Sequence, residues 1–182
     1  MKKYGFIPLL LALCLMLLLP AAAKEIGSAD ALASLMNDPA AWSGDWTLTA
    51  DIDLTGKTQT PIGNYGTPFT GSFDGAHHII TIDLHASAGG PVGAWGLFGE
   101  LDGAAVKDLR LRGALTAAED SGVRSLGALA GTVSGDTAIG GCRSEAAVQS
   151  EVSGGSVGGF VGRVTGGTLT MTGCAGAGAV KA

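Results

Sequence analysis

The sequence predicts an all-β protein: a right-handed parallel β-helix, a solenoid of short strands with a short N-terminal capping helix. Three observations carry this. Segments in the first half alternate apolar and polar residues. A motif of apolar residues framed by glycines recurs at nearly even spacing in the second half. Glycine is abundant, 31 of 182 residues, while hydrophobic residues still make up 46%. Glycine at this level without a Gly-X-Y period can signal disorder. With so many apolar residues the chain can bury a core, and glycine instead marks tight bends between short strands.

The chain opens on a segment that is not part of the fold. Lys2 and Lys3 precede an apolar run from Tyr4 to Leu19, and Ala21–Ala22–Ala23 stands just before Lys24. A positive start, an apolar stretch and small residues at a cleavage point make a secretory signal peptide over residues 1–23. The run is short for a membrane span of roughly 20 residues. Cleavage leaves residues 24–182 and removes Cys14, so Cys142 and Cys174 remain, too few for a disulfide framework. Of 11 basic residues Lys2 and Lys3 are lost, leaving 9 against 16 acidic ones. A chain this acidic is no electrostatic match for nucleic acid or anionic lipid.

Residues 28–37, SADALASLMN, predict the capping helix. Ser28 can cap it, Asp30 suits the positive end of its dipole, and Leu32, Leu35 and Met36 form one stripe before Pro39 ends it. Strand periodicity then takes over. In LTADIDLT, Leu48, Ala50, Ile52 and Leu54 alternate with Thr49, Asp51, Asp53 and Thr55; in IITIDLH, Ile80, Ile82 and Leu84 alternate with Thr81, Asp83 and His85. Between them, PIGNYGTPFTGSFDG is dense in turn residues.

The repeats follow. WGLFGEL, LGALAGTV and VGGFVGRV place glycine pairs at Gly96 and Gly99, Gly127 and Gly131, Gly158 and Gly162. Aligning the closing glycines makes Leu109, Cys142 and Cys174 correspond, and six residues later Leu115, Val148 and Val180. A fixed period of this length means stacked units that cannot bury their apolar face alone. Units of strand and glycine turn, without helices, stack as a parallel β-helix with coils about 4.8 Å apart. Leu97, Phe98, Leu109, Leu129, Cys142, Phe160, Val161 and Cys174 are the expected repeat core. The predicted division is signal peptide 1–23, capping helix and linker 24–44, lead-in coils 45–94, and repeats 95–182, at about 95–125, 126–156 and 157–182.

GLFG, GALAG and GGFVG, preceded by LTADIDLTG, PIGN and PFTGSFDGAHHIITIDL, resemble the GLUG-motif repeats of secreted and surface-attached bacterial proteins. These include adhesins and noncatalytic regions of large surface peptidases. The resemblance covers roughly residues 45–182. It departs from the family at Ala76 and His77, where Asn-Gly is usual, and at Asp108, Gly141 and Gly173, where asparagine is usual. It implies a β-helix-like fold and an extracellular or cell-surface location, and no reaction.

Several residues could carry chemistry. Asp51, Asp53 and Asp83, with Asp74, could supply oxygens to Ca²⁺ or act as paired carboxylates on sugars; the simpler reading is a solvated outer face. His77 and His78 lack the spacing of a zinc protease, and His85 ends a strand. Ser156 sits in GGSVG, a nucleophile-elbow match that is cheap in a glycine-rich chain. Cys142 and Cys174, one coil apart, are read as buried thiols, with a disulfide as the alternative. Lys107, Arg110 and Arg112 read as outer-face charges. Trp42 and Trp46 read as packing between cap and first coil, while Trp95 joins them as a sugar-stacking candidate.

These readings point to a secreted or cell-surface noncatalytic module for adhesion or for binding a glycan or another extracellular protein. No catalytic set, cofactor or nucleic-acid partner is expected, nor membrane association once the signal is removed. The final coil is expected to expose apolar edges, to be covered either by further chain of a longer protein or by self-association. A polysaccharide lyase or hydrolase using the outer-face aspartates is the alternative, and a purely structural stalk is a third.

Overall fold

The computed structural model describes residues 22–87 and 93–182. The predicted signal peptide therefore lies, up to residue 21, outside the described residues. Strand β1 (Lys24–Ile26) leads into helix α1 (Ala29–Met36). Ser28 is extended at the helix start and its Oγ accepts from the Ala31 amide at 3.2 Å, satisfying one of the free N–H groups of the first turn. Leu32, Leu35 and Met36 are buried. A short 3-10 turn at Pro39–Ala41 follows, and the buried Trp42 Nε1 donates to the Leu35 carbonyl at 2.8 Å. One indole thus closes the helix C-terminus and joins it to the core.

From there the chain winds through about four turns of β-solenoid. The segment predicted as one strand over 48–55 is two, β2 (Asp45–Leu48) and β3 (Ile52–Asp53), in different sheets. Inside-outside alternation survives because the chain turns a corner there: Leu48, Ile52 and Leu54 all stay buried. The first coils continue with β4 (Ser72–Asp74) and β5 (Ile79–Ala86). Next come β6 (Gly93–Trp95), β7 (Phe98–Asp102), β8 (Ala105–Lys107) and β9 (Arg110–Ala117). The following coil holds β10 (Val123–Gly127), β11 (Ala130–Ser134), β12 (Thr137–Gly140), β13 (Arg143–Ser144) and β14 (Ala147–Ser150). The last holds β15 (Ser156–Gly158), β16 (Val161–Val164), β17 (Leu169–Thr172), β18 (Ala175–Gly176) and β19 (Val180–Lys181).

Equivalent strands of successive coils pair in parallel. A six-stranded sheet runs β1-β2-β4-β8-β12-β17, and a seven-stranded sheet gathers β3, β5, β9, β13, β14, β18 and β19. Two three-stranded sheets, β6-β10-β15 and β7-β11-β16, form the remaining sides. Side chains stack in columns across the coils. Phe73, Val106, Ile139 and Met171 are successive partners, as are Leu84, Leu115, Val148 and Val180. Leu101, Val133 and Val164 form a third column. The inner members are at most 1% exposed, each contributing roughly 1.5–3 kcal/mol by burial. In the last coil Met171, Val180 and Val164 are exposed. In the core Phe98 packs against Phe69 and Phe73, with centroids 5.1 and 5.5 Å away.

The pairing of Arg110 with Arg143, and of Arg143 with Ala175, puts Leu109, Cys142 and Cys174 in one column. Leu109 and Cys142 are buried and Cys174 is half-buried. Just before each stands a left-handed residue: Asp108 at φ 50°, Gly141 at 62°, Gly173 at 63°. This turn explains why only residues tolerant of positive φ stand in that column. Ala76, at φ 46°, shares that conformation without such tolerance, and His77, a residue found there more often, follows it at 64°. The Asp74 carboxylate supports their turn by accepting from the Ala76 amide at 2.8 Å.

Candidate binding groove

The glycine-framed motifs lie at a sharp bend, where β6 passes into β7, β10 into β11 and β15 into β16. Space, not backbone twist, demands glycine here. A Cβ on Gly131 would sit 2.7 Å from the Ala94 carbonyl carbon and 2.9 Å from its Cβ. One on Gly162 would sit 2.7 Å from both the amide nitrogen and carbonyl oxygen of Leu126. Without side chains at these points the two walls converge, and Leu97, Phe98, Leu129 and Ala130 pass into the core on the inner side. Phe160 and Val161 of the last coil are half-buried.

Outside the bend the converging walls leave a hollow of about 520 Å³. Ala94 and Ser125, adjacent partners, line one wall. Glu100, Thr132 and Arg163, successive partners in three coils, line the other. The hollow is therefore a groove running along the solenoid axis. Ser125 and Thr132 hydroxyls lie 2.7 Å apart across its floor. Tyr65 stands at the rim, 92% exposed. It occupies the tip of a tight turn in which Asn64 and Thr67 exchange backbone hydrogen bonds, and Asn64 Oδ1 accepts from the Gly66 and Thr67 amides. A second hollow of about 240 Å³, lined by Met36, Trp42 and Pro61, adjoins the same tyrosine.

Arg124 also lines the groove. Val123 pairs with Gly93 and Ser125 with Ala94, so Arg124 is the extra residue of a β-bulge. A bulge re-aims a side chain out of strict alternation. Partial burial in the groove, with Asp102 nearby, pushes the Glu100 carboxyl above its ordinary range.

The residues singled out from sequence lie elsewhere. Asp51 Oδ1 accepts from the Ile79 amide and lies 3.0 Å from His78 Nδ1; these contacts, the amide foremost, hold its carboxyl low. Asp53 is engaged by Thr55. Asp83 Oδ1 lies 2.9 Å from His85 Nε2, and the other ring nitrogen of His85 lies 2.6 Å from Thr116 Oγ1. Asp74 pairs with Lys107 at 2.9 Å, and Glu145 with Arg112 and Arg143. Among the described residues no group of three or more His, Cys, Asp or Glu is arranged to hold a metal ion. Ser156 lies in β15 opposite Ser125, with no helix after it. Both repeat cysteines are thiols, and burial pushes Cys142 up to about 12, far from a nucleophile's range. Trp95 is 3% exposed, so it packs in the core and cannot stack on a ligand; Trp46 is half-buried beneath the Lys24 ammonium, 5.2 Å from its ring.

Sequence reasoning passed over Tyr65, Glu100, Arg124 and Arg163. The one available signal was NYG, an aromatic residue in a turn signature. Among the described residues, no helix is long and apolar enough to cross a membrane.

No protein-family model matches the chain, and no curated protein matches it. Among solved structures it is similar to one described as a "putative immunoglobulin A1 protease from Bacteroides ovatus", with a TM-score of 0.57 and 20% identity. The match covers 86% of this chain and 57% of that one, so this chain spans little more than half its neighbour's length. At that identity the likeness is one of fold, and it agrees with the β-solenoid described above.

Proposed function

We propose that the chain is a noncatalytic, extracellular β-solenoid module that binds a glycan or a protein along its lateral groove. The observation that carries this reading is the groove itself, walled by two sheets and rimmed by a tyrosine that is 92% exposed. A volume of about 520 Å³ lies within the range of roughly 300–1,000 Å³ usual for ligand sites. An aromatic ring held on a rigid turn costs little entropy to present. A plain stalk has no use for such a hollow. The outer-face aspartates of the lyase-or-hydrolase alternative are each engaged by local partners rather than converging on one point.

The resemblance of the glycine-framed repeats to GLUG motifs fits this reading, because those repeats occur in adhesins and in noncatalytic regions of surface peptidases. A solved neighbour described as a protease is compatible with the same place: an accessory region beside a catalytic one. Screening the purified protein against glycan arrays and extracellular-matrix proteins, with and without EDTA, tests the proposal. Saturable binding that is lost in Tyr65→Ala supports it. Binding that survives Tyr65→Ala, or turnover of a polysaccharide, contradicts it.

A further inference from the structure

The groove holds two cations that nothing in the fold neutralises. Among the described residues Lys57, Lys107, Arg112 and Arg143 each pair with a carboxylate; Arg124 and Arg163, like Lys24, Arg110 and Lys181, enter no ion pair, and of these it is Arg124 and Arg163 that line the groove. Both arginines line the same hollow, from coils that neighbour one another. One of them reaches it by a bulge that breaks the register of β10. In a chain with more acidic than basic residues, two unpaired guanidinium groups at one site call for an anionic ligand.

Resting on the binding reading above, we propose that the groove takes an acidic oligosaccharide, with Arg124 and Arg163 holding a sugar carboxylate and Tyr65 stacking on a neighbouring ring. The groove is graded along its length. Tyr65 belongs to the turn that precedes the repeats, Glu100 to the first wall strand, Thr132 to the next and Arg163 to the one after. Glu100 and Arg163 are two coils apart, about 9.6 Å along the axis at about 4.8 Å per coil. Arg124 shares the middle coil with Ser125 and Thr132, one coil from Glu100, and Arg163 lies one coil beyond, so a ligand carboxylate held from the Arg163 side stays clear of Glu100, whose own carboxylate accepts hydrogen bonds from sugar hydroxyls. Ser125 and Thr132 supply hydroxyls in the middle coil, beside Arg124.

A saccharide fits better than an extended peptide. The backbones of β10 and β11 are paired on both sides, so the middle of each wall has no free N–H and C=O row for an added strand. What the groove offers is an aromatic face, hydroxyls, a carboxylate and two guanidinium groups.

The test is calorimetric titration of the full protein with uronate-terminated oligosaccharides, with the same oligosaccharides reduced at the carboxyl to a primary alcohol, and with an acidic peptide. Carboxyl reduction, Arg124→Gln and Arg163→Gln should each weaken binding at least tenfold, and added salt should weaken only the acidic sugar. Arg110→Gln, on the seven-stranded sheet, should change nothing, and all variants should melt within 1–2 °C of the parent because the altered side chains are exposed. Equal binding of acidic and reduced sugars, or unchanged binding in both arginine variants, overturns this inference while the binding reading stands. So does capture of the acidic peptide in place of the sugar. No binding to any glycan or protein overturns both.

Discussion

Gly131→Ala tests the bend that shapes the groove. Its φ is ordinary, so the substitution strains no backbone torsion; the added Cβ meets backbone instead. It would press on the Trp95 amide nitrogen and lie 2.7 Å from the Ala94 carbonyl carbon. Optimal contact is about 3.5–4.0 Å. The walls must therefore part by several tenths of an ångström or more, in a strand paired on both sides. Overpacking of this kind costs about 1–3 kcal/mol. For a chain of this size that lowers Tm by roughly 2–12 °C. Gly166→Ala is the control, since nothing lies within 4 Å of the Cβ it would carry and its φ is not positive; it should be neutral. Urea and thermal unfolding of both variants make the comparison. A Gly131→Ala protein as stable as the parent would refute the argument that space explains the framing glycines.

Other outcomes follow from single contacts. Replacing Ala76 and His77 by Asn and Gly puts residues suited to positive φ at two left-handed positions, relieving Ala76 above all, and should stabilise by about 1 kcal/mol; a lower Tm would show that their turn is not strained. Cys142 should resist thiol reagents at pH 8 in the folded protein, since its thiol is pushed up to about 12, while the half-buried Cys174 reacts sooner; equal rates by peptide-level mass spectrometry would contradict this. Asp51, Asp53 and Glu145 are held below their ordinary pKa by hydrogen bonds and nearby cations, so each binds fewer protons folded than unfolded. Their stabilisation is complete above the ordinary carboxylate range and is lost as pH falls through the folded values; the raised Glu100 works the other way. Unfolding midpoints should therefore drop on acidification, less steeply in Asp51→Asn, and a flat profile between about pH 5 and pH 2 would refute this.

The fold class was legible because burial in a solenoid writes itself into the sequence twice. Alternation in IITIDLH marked a strand with one buried face, and Ile80, Ile82 and Leu84 are that face. The repeat period marked stacking, and Leu115, Val148 and Val180 lie in one column. Helix α1 was legible from Ser28 and the stripe of Leu32, Leu35 and Met36. Corners were not: nothing in LTADIDLT distinguishes one strand from two that turn between sheets while keeping their alternation. The groove was not legible either. Its walls come from three coils, and its rim from a turn whose position depends on how the coils stack. Arg124 reaches it only through a bulge, a one-residue shift between neighbouring strands that a single sequence does not display. Asp51, Asp53 and Asp83 attracted attention because they are close in sequence and pattern. Their hydrogen bonds to His78, Ile79, Thr55 and His85 separate them into local contacts.

Successive coils lie in parallel and in register, and from β5 onward partners in the seven-stranded sheet stand about 31–33 residues apart. Nuclear Overhauser contacts between backbone protons test this stacking most directly. A chain of contacts should link His85 to Thr116, Thr116 to Gln149 and Gln149 to Lys181. Contacts pairing sequence-adjacent strands as antiparallel hairpins, with that long-range series missing, would contradict it.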